Sequence, residues 1–176
     1  MSVSTFEVRR LVTGVNANGK SCIVTDAPSP HVTFLNDPGS FACADIWRTD
    51  SAIPPARAED GLRAPTTLAP PPGGTIFRVM RFPPETEREG GFAPGDRSGE
   101  EALAGQDTSI HPLMHKTRSV DYALVLSGEI WAIMEDGEAL MRSGDVLVQR
   151  ATSHSWANRS TEPCIIAFVL IDARDE

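Results

Sequence analysis

Three things are scarce in this chain: paired cysteines, basic residues and long apolar runs. Its three cysteines, Cys22, Cys43 and Cys164, form no Cys-x-x-Cys pair. An odd, dispersed set argues against a disulfide framework and fits a reducing compartment, so a cytoplasmic protein is expected. Sixteen Lys and Arg stand against 24 Asp and Glu, a formal charge of -8. Such a surface repels phosphate backbones and anionic lipid, so neither nucleic acid nor membrane is an expected partner. No basic stripe or helix-turn-helix pattern supports a transcription factor. The longest apolar run, Cys164 to Ile171, is far too short to cross a bilayer and reads as a strand buried on both faces. Residues Met1 to Arg10 are polar and lack the apolar stretch of a secretory signal. There is no internal repeat, heptad, P-loop or Rossmann glycine pattern.

What is present is β pattern. At 176 residues and 40% hydrophobic content the chain fits one soluble domain spanning 1-176. Arg9 to Asn16 and Lys20 to Asp26 flank Asn18-Gly19, whose positive φ angles suit a hairpin. From Ala27 to Gly74 prolines interrupt regular structure, with one strand expected over Phe41 to Trp47. The 1-74 stretch is expected to pack on a barrel core formed by 75-176. Thr75 to Phe82 is a strand closed by Pro83-Pro84. Glu85 to Gln106 is a surface excursion holding one short helix, because Ser98-Gly-Glu-Glu101 is a capping box ahead of Ala102-Leu-Ala104. Strands follow over Tyr122 to Met134, Ala139 to Arg142, Val146 to Arg150 and Cys164 to Ile171. Short strands at close spacing with glycine turns give an all-β sandwich or barrel.

The chemistry-bearing residues cluster between His115 and Asn158. Alternate strand residues share a face, so His115, Thr117, Ser119 and Asp121 point the same way if their strand is regular. His154 arrives from a neighbouring segment. Two imidazoles and a carboxylate on one side of a divalent metal form a facial set. Each residue also has a plainer role: His115 as a surface histidine, His154 as a loop histidine bonded to backbone, Asp121 as partner to a buried arginine or threonine. Arg78 either holds a substrate carboxylate bidentately or pairs with a nearby acid. Trp131 and Trp156 either line a pocket or fill core. His111, ahead of Pro112, is expected to be exposed, with the pocket mouth as its other possible place. Asn158 and Gly144 read as turn and strand-end residues.

These segments resemble the cupin superfamily. Its first motif is matched by His115-x-Thr117, three residues, Asp121, six residues, Gly128. Thr117 stands where a second histidine is usual, and Asp121 where glutamate is usual. The second motif is matched by Gly144 and by His154, three residues, Asn158, with Gln149-Arg150-Ala151 in place of Pro-x-Gly. The resemblance implies a double-stranded β-helix, or jelly roll, with the hairpin as an extension. It implies a divalent transition metal (Fe, Mn, Zn or Ni) on His115, Asp121 and His154, which would also be the catalytic residues. Thr117, Arg78, Trp131, Gln149 and Trp156 would then contact substrate, and a homodimer is expected.

Three functions follow as expectations. The first is a metal-dependent enzyme acting on a small organic molecule, carboxylate or aromatic and polyketide-like, by oxygenation, decarboxylation, dehydration or isomerisation. Proton transfer by Asp121 or His154 would serve even without metal. The second is a metal-free binding or sensing module. The third is an assembly role through strand pairing of the N-terminal hairpin between subunits.

Overall fold

The computed structural model describes residues 6–34, 41–62, 66–87, 105 and 107–174. Eleven strands are described: β1 (Arg9–Val15), β2 (Ser21–Pro28), β3 (His31–Phe34), β4 (Ala42–Thr49), β5 (Thr75–Phe82), β6 (Ser119–Ser127), β7 (Glu129–Met134), β8 (Glu138–Arg142), β9 (Val146–Arg150), β10 (His154–Ala157) and β11 (Cys164–Asp172). A 3-10 turn at Glu85–Glu87 is the one helical element among the described residues. None of their helices is long and apolar enough to cross a membrane. The helix expected near Ser98 lies outside the described residues.

A six-stranded sheet in the order β3-β4-β5-β11-β6-β9 faces a three-stranded sheet, β10-β7-β8, and β1-β2 form a separate hairpin. This is the all-β architecture that the strand pattern suggested, in the jelly-roll form that the resemblance implied. β3 and β4 are integral strands of the large sheet, so the core does not begin at residue 75.

Alternation sorts the side chains. β6 buries Ser119, Asp121, Ala123 and Val125 and leaves the residues between them more exposed. β11 lies at the centre of the large sheet, paired with β5 and β6, and points Cys164, Ile166, Phe168 and Leu170 into the core. Aromatic rings knit that core: Phe41 meets Phe82 edge-on at 4.9 Å, and Trp156 meets Phe168 at 5.5 Å. Such pairs each contribute about 0.5–1.5 kcal/mol beyond the area they bury.

Glycine decides one junction. The run from Tyr122 to Met134 is two strands, not one, because the chain turns at Gly128 with φ +76°. A Cβ there would stand 2.8 Å from the Pro163 carbonyl oxygen, so no other residue fits without a shift. The N-terminal hairpin is present, but its loop is not a two-residue Asn-Gly turn. Only Gly19 has positive φ, and the Asn16 side chain accepts the Asn18 and Lys20 amides instead.

Candidate functional site

His115 and His154 meet as a closed antiparallel pair. Each backbone N–H donates to the other's carbonyl at 2.9 Å, and the rings lie 4.1 Å apart between centroids. β10 supplies His154, and its register with β7 places His154 opposite Met134 and Trp156 opposite Ala132. Both rings are fixed by their Nδ1 atoms. His115 Nδ1 lies 2.9 Å from the Leu113 carbonyl and His154 Nδ1 lies 3.0 Å from the Thr152 carbonyl. A carbonyl only accepts, so each Nδ1 carries the proton and each Nε2 keeps its lone pair. Burial lowers the His115 pKa, and takes His154 down to about 3, helped by the neighbouring ring. The pair is therefore neutral at physiological pH.

Asp121 shares the inner face through β6 but does not join the imidazoles. Among the described residues no three His, Cys, Asp or Glu side chains come close enough to hold one metal ion. The expected grouping of His115, Asp121 and His154 does not form such a cluster: Asp121 projects from β6, whereas His115 lies outside that strand in an isolated bridge with His154. The Asp121 Oδ1 is buried without a hydrogen-bond partner. Burial pushes its pKa up to about 6, against the Ser119 hydroxyl and the charge of Arg78, which pull it down. The Ser119 hydroxyl also reaches Thr117 Oγ1 at 2.8 Å, so Thr117 belongs to this short hydroxyl ladder.

Arg78 points inward, but its charge is committed. Its Nε lies 3.0 Å from Asp45 Oδ1, both side chains being deeply buried, and its Nη2 donates to the Thr67 carbonyl at 2.8 Å. This pairing with a buried acid is the plainer of its two expected roles. Gln149 faces Asp121 across the β6–β9 pair, yet its amide nitrogen donates to the Thr152 carbonyl at 2.8 Å. That bond helps fix the carbonyl that orients His154. Trp156 is buried, edge-on to His154 at 6.1 Å, and closes the inner side of the pair.

Trp131 is elsewhere. On β7 it is Ile130 and Ala132 that enter the main core, while Trp131 packs on the opposite face with Met114, Ile133 and Ala157, under the Arg159 guanidinium at 5.0 Å. The break at Gly128 shifts strand parity by one residue, which turns every β7 side chain to the other face from that of an unbroken strand.

Two features escaped sequence reasoning. His111 is buried, not exposed: its Nδ1 accepts from the Ser155 hydroxyl at 2.6 Å and the Leu113 N–H at 3.3 Å, and its Nε2 lies 3.0 Å from Glu85 Oε1. Leu113 thereby joins the two histidines, its N–H to His111 and its carbonyl to His115. Asn158 is the turn residue expected just past β10, its Oδ1 accepting the Ser160 amide at 3.0 Å, but it is also fully buried, donating to the Phe82 and Glu162 carbonyls at 2.9 and 2.8 Å. The four-residue spacing of His111 and His115 was the one available hint of the first.

No family model matches the chain. Among curated proteins, the cupin-domain-containing oxidoreductase virC of Hypocrea virens is 30% identical over 172 residues, covering 94% of this chain and 76% of that protein. Phomopsin biosynthesis cluster protein D of Diaporthe leptostromiformis is 47% identical over 105 residues, covering 58% of this chain. Oryzines biosynthesis cluster protein J of Aspergillus oryzae is 42% identical over 105 residues, again 58% of this chain. The chain spans 43% and 45% of the lengths of those two biosynthesis-cluster relatives. The cupin domain of Schizosaccharomyces pombe Cnp3 superposes with a TM-score of 0.49 at 10% identity, over 95% of this chain and 89% of that one. Two motif histidines brought together across a jelly roll, and a relationship to virC running nearly end to end, place this chain in the cupin superfamily.

Proposed function

We propose that the chain is a small-molecule biosynthetic enzyme of the oxidoreductase kind, with His115 and His154 as two ligands of a divalent transition metal. One observation carries this reading: two neutral imidazoles stand side by side, each with Nδ1–H tied to a backbone carbonyl and Nε2 making no hydrogen bond among the described residues. Metal-bound histidines characteristically have their other nitrogen held in this way. The pair fits a metal as two nitrogen donors, and the remaining positions fall to solvent or substrate. The names of the relatives, an oxidoreductase and two biosynthesis-cluster proteins, support the reading.

A metal held there supplies Lewis acidity or a dioxygen centre. The chain's own residues do the rest. The carbonyls of Leu113 and Thr152 hold the two rings in register. Trp156 and Phe168 keep the inner side apolar and exclude water. Asp121, poised at about 6, exchanges a proton near neutrality with a group reaching Oδ1. That poise also favours a second reading, a metal-free pocket in which Asp121 alone serves as acid and base.

Metal content separates the two. Protein purified without chelator is expected to carry transition metal, with His115→Ala and His154→Ala each losing it and Asp121→Asn keeping most of it. Retention of parental metal by both histidine variants overturns the ligand assignment. Loss in Asp121→Asn equal to that in the histidine variants restores the three-ligand site. A parent that takes up no metal leaves the second reading.

A further inference from the structure

His115 does not sit in a strand. It belongs to an isolated two-bond bridge with His154, with no ladder of its own to hold its direction. Its placement therefore falls to the turn just before it. His111-Pro112-Leu113-Met114 is a closed β-turn, the Met114 N–H donating to the His111 carbonyl at 3.0 Å. Proline in the second position presets the backbone for such a turn. The peptide unit between Leu113 and Met114 is thus tied at both ends. Its N–H goes to His111, and its carbonyl accepts from His115 Nδ1 at 2.9 Å.

The His111 ring holds this turn from the side. Its Nδ1 lies 3.3 Å from the Leu113 nitrogen and 2.6 Å from Ser155 Oγ. A backbone N–H only donates, so Nδ1 is the accepting nitrogen and Nε2 carries the ring proton, which goes to Glu85 Oε1 at 3.0 Å. Glu85 is anchored in turn. Its N–H donates to the Asn158 carbonyl at 2.9 Å, just past the end of β10. One nitrogen of His111 therefore meets both a residue two places before His115 and the residue next to His154. The carboxylate on the other nitrogen keeps Nδ1 in its accepting form.

We propose that His111 is the positioning residue of the imidazole pair. Through Ser155 it sets the turn against β10, beside His154, and through Leu113 it decides which nitrogen His115 leaves bare. It acts through other residues and takes no part in the chemistry. Loosening the turn draws the Leu113 carbonyl away from His115 Nδ1–H. The proton is then free to move to Nε2, the nitrogen that a metal would need. The consequence for metal rests on the two-histidine reading above; the placement of the rings does not.

Two measurements test this. In metal-free protein, long-range proton–nitrogen correlation spectra of the imidazoles report which nitrogen of each ring is protonated. The parent should show His115 in the Nδ1–H form, and His111→Ala should convert it to a mixture with the Nε2–H form. An asparagine side chain accepts readily from the backbone two residues on, so His111→Asn should restore the parent form. Titration with cobalt(II), followed by its visible absorption, should show about ten- to a hundredfold weaker binding in His111→Ala. That is the usual worth of a group that orients a metal-bound histidine. Most of the affinity should return in His111→Asn. Ile130→Ala, a core truncation on β7, costs stability without touching the turn and should leave both readouts at parent values. If His111→Ala does not fold, Ser155→Ala carries the test, with part of the same tautomer change and about three- to tenfold weaker cobalt binding, the worth of one net hydrogen bond. An unchanged His115 tautomer in the variant that folds overturns the proposal, and so does a His111→Asn that behaves like His111→Ala. A parent that binds no cobalt while its His115 tautomer still follows His111 sinks the metal reading and upholds the positioning role.

Discussion

His111 and His154 are both buried histidines, and a single residue of β10 separates their surroundings. His154 projects from the strand's inner face; Ser155, the next residue, projects from the outer face and bonds His111. Yet the two rings are provisioned differently. His111 uses both nitrogens, Nδ1 as acceptor for Ser155 and Leu113 and Nε2 as donor to Glu85. His154 and its neighbour His115 use only Nδ1, on carbonyls two residues away in sequence. Burial alone therefore does not separate a packing histidine from a reacting one. What separates them is the nitrogen that makes no hydrogen bond to any described residue and so stays available to a ligand or to solvent.

The largest effect should come from breaking that contrast directly. His111→Ala removes the acceptor of a fully buried Ser155 hydroxyl and of the Leu113 N–H. A loss of about 2–4 kcal/mol in urea unfolding of the metal-free protein is expected. His115→Ala removes one part-buried bond to a carbonyl and should cost within about 1 kcal/mol under the same conditions. Equal losses would erase the distinction between the two kinds of histidine.

How far the sequence revealed these roles depends on how local each one is. β5 was legible at both ends, since Thr75 to Phe82 alternates within itself and Pro83 stops it. The shared face of Thr117, Ser119 and Asp121 was legible for the same reason. β10 was not, because His154–Ala157 is buried on both faces and so shows no alternation. Its outer covering comes from residues near 111–114, a contact across more than forty positions that no local pattern announces. Trp131 was misplaced by parity, as the turn at Gly128 cannot be seen in a run that is apolar on both sides. The pairing of Arg78 with Asp45 was legible only as an alternative, because a buried arginine looks the same whichever acid satisfies it.

Asp121 offers a middle-sized effect that sharpens the contrast between spent and unspent groups. Its pKa is raised from 3.8 to about 6 on folding, mainly by burial. A raised acid favours the native state while it is protonated. Its contribution is fully present below pH 4 and is lost as pH rises through 6. The total is up to about 3 kcal/mol. The two lowered imidazoles act with the opposite sign, gaining stability as pH rises, so the Asp121 part is read as a difference between parent and Asp121→Asn. In chelator-treated protein the variant should gain on the parent between pH 4 and pH 8. A difference that stays constant over that range would mean the carboxyl is solvated, not orphaned.

The smallest effect concerns the turn that delivers Thr152 to His154. Ala151 has φ +48°, the one positive value at a non-glycine position among the described residues. It stands where the superfamily motif has glycine, and an L side chain there carries about 1–2 kcal/mol of strain. Ala151→Gly relieves that strain but adds freedom to the unfolded chain, worth roughly 0.5–1 kcal/mol in the other direction. The net expectation is a gain of several tenths of a kcal/mol, seen as a small rise in the urea midpoint. Because the Thr152 carbonyl is also held by the Gln149 amide, metal content should not change. If stability rises while metal is lost, the strained turn itself, and not the carbonyl it presents, is what positions the His154 ring.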